Sequence, residues 1–391
     1  MNLASWAAGF CAVSVGVHVS TLAAAARRCR TGRAPPIRAE EPPVSLLRPV
    51  CGLDNFARET LASTFAIDYP HYEVIFCVAR DDDPVNALLR ELIAAHPQVP
   101  ARLLIGDDRV SVNPKLNNLI KGWDAAHHRW IIMADSNVLL PQDYIRRLMA
   151  RWRPDTGVVC SMPVGSQPGN FWAEVECAFL NTLEARYEYV SEMLGFGFAQ
   201  GKNMLFRRDV VEARGGIRAL AAETAEDAAT TKLVRDAGLH VHLADCPFEQ
   251  PLGRRSAALV WSRQLRWARL RRVSFPLLFL PEIFVSSALP ALALAYAAAA
   301  SGSSAPAAVA GLLALWFGAE IAAARVAGWR CSWRLLAAMA ARDLLLPALW
   351  AGALTGSGFV WRGNAMSGER APRRRTLRRL ARNRRAAAEP S

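Results

Sequence analysis

A chain of 391 residues is long enough for one sizeable core with further parts attached, and its 52% apolar content is too high for an intrinsically disordered protein. The net charge of +13 is local: residues 362–391 hold ten Arg and two Glu, a surplus of +8. The eight Cys are scattered without a C-x-x-C pair, which excludes a zinc-ribbon or disulfide framework and fits a reduced compartment.

The first apolar block, LASWAAGFCAVSVGVHVSTLAAAA, makes residues 1–26 an N-terminal transmembrane helix, for which about 20 apolar residues suffice. No basic residue precedes the block, as a cleaved signal peptide would require. Arg27, Arg28, Arg30 and Arg33 follow it, so the positive-inside bias puts residue 27 onward in the cytoplasm. Residues 27–43, rich in Pro and charge, read as a linker.

Between 44 and 257 strand and helix patterns alternate. VSLLRPV, YEVIFCVA, ARLLIG and RWIIMAD read as strands; NFARETLASTFA, PVNALLRELIAAH and NPKLNNLIKGWDAAH read as helical segments. This order predicts an α/β domain with a mainly parallel sheet, whose ligands bind at the carboxyl ends of the strands. No G-x-G-x-x-G or Walker loop is present.

Two of these strands end in acid. Asp135-Ser136-Asn137 follows a buried strand, and two oxygen ligands two residues apart can grip Mg²⁺ or Mn²⁺ while substrate phosphates fill the other positions. The same tripeptide is also ordinary turn chemistry. Asp81-Asp82-Asp83-Pro84 could cap the helix that Pro84 opens, yet three acids exceed what a cap needs. One of them could accept hydrogen bonds from a base or ribose.

Lys115 is one of only four Lys in the chain and stands in a polar loop at the mouth of the same sheet, where it could meet a base or a phosphate. Glu226-Asp227 opens a helix; acids there complement the helix dipole, and one could serve as a general base. His240 and His242 share a strand face but have no third ligand nearby in sequence.

Residues 258–274, LVWSRQLRWARLRRVS with its flanking Ala258, form an amphipathic interfacial helix carrying Arg263, Arg266 and Trp267 within about one turn. Arg263 or Arg266 could pair with a diphosphate, and Trp267 could stack on a sugar. Residues 275–361 form a C-terminal membrane region: spans at 275–300 and 307–324, then 335–361 as a re-entrant or third span. A full third crossing would put the Arg-rich tail outside, so the re-entrant or interfacial path is favoured. The tail, 362–391, reads as a cytoplasmic segment on anionic lipid, at about 1 kcal/mol per basic residue, rather than as a nucleic-acid-binding arm.

The pieces LDNFARETLASTFAIDYPHYEVIFCVARDDDP, NPKLNNLIKG, MADSN, GKNMLFRRDVVEARGGI, AEDAATTKLVRDAG and R-Q-L-R-W, in this order, resemble the glycosyltransferase-2-like superfamily and most closely the ceramide glucosyltransferase family. The resemblance covers roughly residues 44–275. It implies a GT-A fold, Rossmann-like and built to bind a nucleotide diphospho-sugar, with flanking transmembrane helices. It also implies inverting transfer of a hexose from a UDP-sugar, UDP-glucose by this family, to a hydroxyl of a membrane lipid such as ceramide or diacylglycerol.

By position, the resemblance makes Asp83 a nucleoside ligand and Asp135 the metal and diphosphate ligand, with Asn137 beside it on the cation. It makes Lys115, Arg263 and Arg266 donor-site residues, Trp267 the acceptor-side residue and Asp227 the catalytic base. Asn137 stands where many superfamily members have a second acid, and Arg80 where a close family pattern has Asp. The implied setting is a bacterial inner membrane with the catalytic domain in the cytoplasm. Rival readings are a hopanoid glycosyltransferase using UDP-N-acetylglucosamine, a processive polysaccharide synthase, and a non-catalytic membrane scaffold.

Overall fold

The computed structural model describes residues 2–31, 41–361 and 364–367. Part of the linker and nearly all of the Arg-rich tail therefore lie outside the described residues.

Among the described residues, nine strands precede the C-terminal membrane helices: β1 (Val44–Val50), β2 (Tyr72–Val78), β3 (Ala101–Ile105), β4 (Trp130–Ala134), β5 (Thr156–Cys160), β6 (Pro163–Pro168), β7 (Asn203–Arg207), β8 (His240–Leu243) and β9 (Phe248–Gly253). Seven of them form one sheet in the order β3-β2-β1-β4-β7-β5-β8, while β6 and β9 pair separately. The strands β3, β2, β1 and β4 are mutually parallel; β7 runs antiparallel to both its neighbours, β4 and β5. Every residue of β1 and β2 is buried, because helices cover both faces of a parallel sheet. One apolar core lies on each face: Leu47, Ile75, Leu119 and Met133 on one, Leu46, Val74, Leu89 and Ile132 on the other.

A polar residue interrupts this apolar strand set for a reason. Arg48 in β1 is fully buried and donates to Thr64 Oγ1 at 2.9 Å, to the Asp135 carbonyl at 3.0 Å and to the Val138 carbonyl at 3.3 Å. It fastens the turn after β4 from beneath, satisfying carbonyls that the strand leaves unpaired.

The helices Leu3–Arg30, Ala305–Val326 and Leu335–Leu354 are long and apolar enough to cross a membrane. The expected span 275–300 is instead a bent pair, Pro276–Val285 and Ala288–Ala300, meeting at 50°. Pro281 lies in the first piece, a 3₁₀ turn at Leu280–Val285, and Ser286-Ser287 forms the break. A proline ring removes one helical N–H and crowds the preceding turn, which is a common cause of such a bend.

Leu335–Leu354 is a continuous helix, and the two charges that interrupt its apolar sequence face inward. Arg342 grips Glu320 through two bonds of 2.9 and 2.8 Å, and Asp343 accepts from the Ser287 N–H at 2.8 Å. Thr182 donates to Glu320 at 2.5 Å. His18 of the first helix stacks on Trp316 and meets Arg186 at 2.9 Å. Thr182 and Arg186 belong to a long helix, Phe171–Met193, whose middle turns, Phe179–Ala185, are π-helical. This buried polar network therefore joins the membrane helices to the α/β domain.

Candidate active site

Asp135 directly follows β4, and its backbone N–H donates to the Lys202 carbonyl at 2.9 Å. That bond extends the antiparallel register in which Ala134 faces Asn203. Because β7 runs against β4, it begins at the edge where β4 ends. Lys202 thus arrives beside Asp135 through strand pairing alone. Its Nζ donates to Asp135 Oδ2 at 2.8 Å and to Asn137 Oδ1 at 3.0 Å.

Lys115 holds the other oxygen. The helix Pro114–Ala125 starts with Asn113 as its cap, whose side-chain oxygen accepts from the N–H groups of Lys115 and Leu116, and with Pro114 in the first position. The cap fixes the first turn at the sheet edge. There Lys115 Nζ lies 2.6 Å from Asp135 Oδ1, 2.6 Å from Glu226 Oε1 and 2.6 Å from the Gly201 carbonyl. Asn113 Nδ2 donates to the other Glu226 oxygen at 2.6 Å.

Asp227 sits in the first turn of the helix Glu226–Asp236, accepting from the Ala228 N–H at 2.7 Å and the Gly201 N–H at 3.3 Å. Burial, then the neighbouring Glu226 charge, push its carboxyl up to about 6, against the pull of Lys115 and the two N–H groups. Asp135 behaves oppositely. Burial would raise it, but Lys115 and Lys202 together hold it well below the usual carboxylate range. Burial, helped by the Arg263 charge, pushes Lys202 down to about 8, with Asp135 opposing. Two carboxylates that both feel the Lys115 charge are thus set for different work, one held ionised and one able to take a proton near neutrality.

Gly201 makes this packing possible. A Cβ there would lie 2.8 Å from Glu226 Oε1, 3.2 Å from Asp227 Oδ2 and 3.4 Å from Lys115 Nζ.

Of the residues singled out in the sequence, Lys115, Asp135, Asn137 and Asp227 come together at one point. Asp83 lies on the same edge after β2, which β1 separates from β4. Its oxygens accept from the Gly52 N–H at 3.1 and 2.9 Å and from the Val85 N–H at 3.0 Å. It ties the loop after β1 to the next helix and makes no bond to the lysine cluster among the described residues.

The helix Ala257–Ser274 carries the membrane-side residues. Arg263 pairs with Glu176 at 2.5 Å, and its guanidinium stacks 4.6 Å from the Trp267 ring centre. Arg266 and Trp267 are both partly buried. Arg263 is therefore engaged with a fully buried acid, although its charge is felt at Lys202. His242 meets Asp155 at 3.3 Å and Glu192 at 3.2 Å, while His240 is exposed. All eight Cys are free thiols.

Several site residues had no signal of their own in the sequence. Lys202 sits in an unremarkable G-K-N, and Glu226 reads as a helix-dipole partner. Glu184 and Glu188, one turn apart on the long helix, lie between Asp227 and the membrane-side helix. Burial pushes Glu184 up to about 7, despite Arg271 and Arg263, and burial with Glu184 pushes Glu188 up to about 8. Their spacing could not single them out, since the helix Phe171–Met193 also carries Glu174, Glu176, Arg186 and Glu192.

Both Asp135 oxygens and the Asn137 oxygen already accept from ammonium groups. No group of three or more His, Cys, Asp or Glu able to hold a metal ion occurs among the described residues. As arranged, two ammonium groups occupy the Asp135 and Asn137 oxygens that the expected ion would share with substrate phosphates.

A mixed α/β sheet of this order, with charged side chains gathered at the carboxyl ends of its parallel strands and apolar helices on both sides in sequence, defines a GT-A-type glycosyltransferase with membrane helices. A family model described as glycosyl transferase family 21 matches residues 8–373. The chain belongs to that family, the ceramide glucosyltransferase family. It is 26% identical over 243 residues to ceramide glucosyltransferase 1 of Caenorhabditis elegans, covering 62% of this chain and 52% of the relative. To the ceramide glucosyltransferase of Komagataella phaffii it is 41% identical over 99 residues, 24% of this chain and 19% of the relative. The chain thus spans about half the length, or less, of these curated relatives. Among solved structures, the mannosyltransferase PcManGT from Pyrobaculum calidifontis, in complex with GDP-Man and Mn²⁺, matches with a TM-score of 0.50 at 17% identity. The match covers 86% of this chain and 99% of that one, and it bears on the fold alone.

Proposed function

We propose that this glycosyltransferase moves a hexose, glucose by its family, from a UDP-sugar to the hydroxyl of a membrane lipid such as ceramide or diacylglycerol, with inversion. The observation that carries the reading is the pairing of Asp135 and Asp227. One carboxylate stays charged between two lysines and the other, pushed up to about 6, is poised to accept a proton.

In the reaction the acceptor oxygen attacks the anomeric carbon of the sugar. The bond from that carbon to the diphosphate oxygen breaks, and its electron pair leaves with UDP. Asp227 takes the hydroxyl proton. Asp135 orients Lys115 and Lys202 at the end of β4, where the diphosphate would lie, and Asp83 with the loop after β1 would border the nucleoside. Arg263, Arg266 and Trp267 would close the membrane side.

The acceptor is read as a lipid because the helix Ala257–Ser274 leads straight into the bent membrane segment and packs along Leu335–Leu354. An amphiphile can then offer its headgroup laterally without leaving the bilayer. The second of these helices also packs on Phe171–Ala178 of the α/β domain, more than on Ala305–Val326. This supports an interfacial or re-entrant path for it, with the Arg-rich tail on the cytoplasmic, anionic face. A bacterial inner membrane is the setting this reading implies.

The test is expression in a host that lacks glycolipids, followed by mass spectrometry of the lipid extract. A new mono- or dihexosyl lipid that disappears with Asp227→Asn supports the reading. A polymer, or an unchanged extract with full-length protein present in the membrane, overturns it.

A further inference from the structure

We propose that Lys202 acts as a built-in cation for the leaving diphosphate, so that donor binding and transfer need no added divalent ion. The proposal rests on the reading of the Asp135 edge as the donor site. It starts from counting donors. An ammonium group has three N–H bonds and no acceptor. Lys115 spends all three, on Asp135, Glu226 and the Gly201 carbonyl. Lys202 spends two, on Asp135 and Asn137, and keeps one.

The oxygen side of the count points the same way. A divalent ion at this edge would share the Asp135 carboxylate with two ammonium charges already 2.6 and 2.8 Å from it, and like charges at that range repel. Both Asp135 oxygens and the Asn137 oxygen are turned to ammonium groups, and Asn137 stands as a neutral amide. Asn137 Oδ1 and Asp135 Oδ2 converge on one nitrogen, at 3.0 and 2.8 Å, much as two ligands would converge on an ion.

Strand register fixes where the side chain starts, and its two contacts hold the ammonium at the edge. The Lys202 carbonyl is bonded to the Asp135 N–H, and Asn203 is paired with Ala134, so the root of the side chain is fixed to the strand end. The side chain is 15% exposed, enough for its tip to be reached from the edge. Arg263, the other strong cation nearby, is turned to Glu176 at 2.5 Å and to Gln250 at 3.4 Å. Lys202 has a third N–H that meets no acceptor among the described residues, and it stands at the end of β4 itself. As the bond from the anomeric carbon to the diphosphate breaks, the electron pair and the new negative charge reside on a phosphate oxygen. Lys202 offsets that charge by a hydrogen bond, without transferring its proton.

The experiment uses the full chain purified in lipid nanodiscs and measures UDP binding by calorimetry, in EDTA and in Mn²⁺. The wild type is expected to bind UDP in EDTA within about twofold of its affinity in Mn²⁺. Lys202→Met is expected to weaken UDP binding about 10- to 100-fold, the loss of a charge-assisted hydrogen bond, and Lys202→Arg to recover most of it. Thermal unfolding of each variant confirms that it is folded, and the wild-type comparison of EDTA with Mn²⁺ needs no variant. Loss of wild-type binding in EDTA with recovery in Mn²⁺, or wild-type affinity in folded Lys202→Met, overturns the proposal while leaving the donor site in place. Absence of UDP binding by the wild type under both conditions overturns the donor-site reading itself, and this proposal with it.

Discussion

Lys115 Nζ lies 2.6 Å from Asp135 Oδ1, and this contact joins the helix after β3 to the end of β4. The same nitrogen reaches Glu226, more than a hundred residues further along the chain. Burial works against the Lys115 charge, yet Asp135 and Glu226 outweigh it and raise the group above its ordinary range. Lys115 is therefore the hub that keeps two acids of the site close together.

Removing that hub leaves both acids short of a cation. Lys115→Met should cost about 3–5 kcal/mol of stability, the usual consequence of breaking a buried ion pair from one side. Thermal unfolding in nanodiscs measures it. A melting temperature equal to the wild type's would mean that the cluster is not a stabilising unit.

Asp227→Asn should lower kcat by about 10²–10⁴-fold, as removal of a general base does, with UDP affinity little changed. In the wild type, activity should rise with pH through about 6, because the base works only once it is deprotonated. A pH–rate profile flat between 5 and 8 would remove Asp227 from the base role.

Glu226 raises the Asp227 pKa by like-charge repulsion. Glu226→Gln keeps one accepting oxygen for Lys115, turns an amide NH₂ toward Asn113, and deletes the charge. The acid limb of the pH–rate profile should then move to lower pH. An upward shift, or none, would show that burial alone sets Asp227.

Gly201→Ala introduces a methyl group 2.8 Å from Glu226 Oε1 and 3.2 Å from Asp227 Oδ2. Overpacking of this kind costs about 1–3 kcal/mol, and here the strain falls on the proposed base. Transfer activity should drop, by up to about 10²-fold for a catalytic group displaced by about 1 Å, while thermal unfolding shifts only modestly. Full activity in Gly201→Ala would mean that the cluster is looser than the contacts indicate.

Arg342→Met strands Glu320 in a fully buried position between the membrane helices and Thr182. It should destabilise the protein by about 3–5 kcal/mol, and the double variant Arg342→Met with Glu320→Met should recover only part of the loss, because buried Asp343 also loses its bonds of 2.9 and 2.6 Å to Arg342. Unfolding of the three proteins in nanodiscs tests the coupling directly.

Much of this protein was legible in residue order. Alternating strand and helix periods between 44 and 257 gave the α/β class, because burial on two faces demands unbroken apolar strands and burial on one face demands a helical stripe. Acid in a turn or at the start of a helix has ordinary structural uses, so Asp135 and Asp227 stood out through the motifs that carry the family resemblance. Arg48 and Lys202 were silent: a charge within a strand, and a lysine before one, carry no local signature. The inward turn of Arg342 and Asp343 was equally hidden, since a one-dimensional pattern records an interruption and not the partner that satisfies it.

Length, apolar periodicity and charge placement therefore determined by themselves the fold class, the apolar segments long enough to span a bilayer and the acids at the sheet edge. All of these follow from local spacing along one chain. Tertiary structure alone decided which cations meet those acids, because the antiparallel entry of β7 brings Lys202 to Asp135 across 67 residues and the pairing is made by strand register. It also decided that Asp227 is raised and Asp135 lowered, since burial and neighbouring charge act through space and leave no trace in sequence.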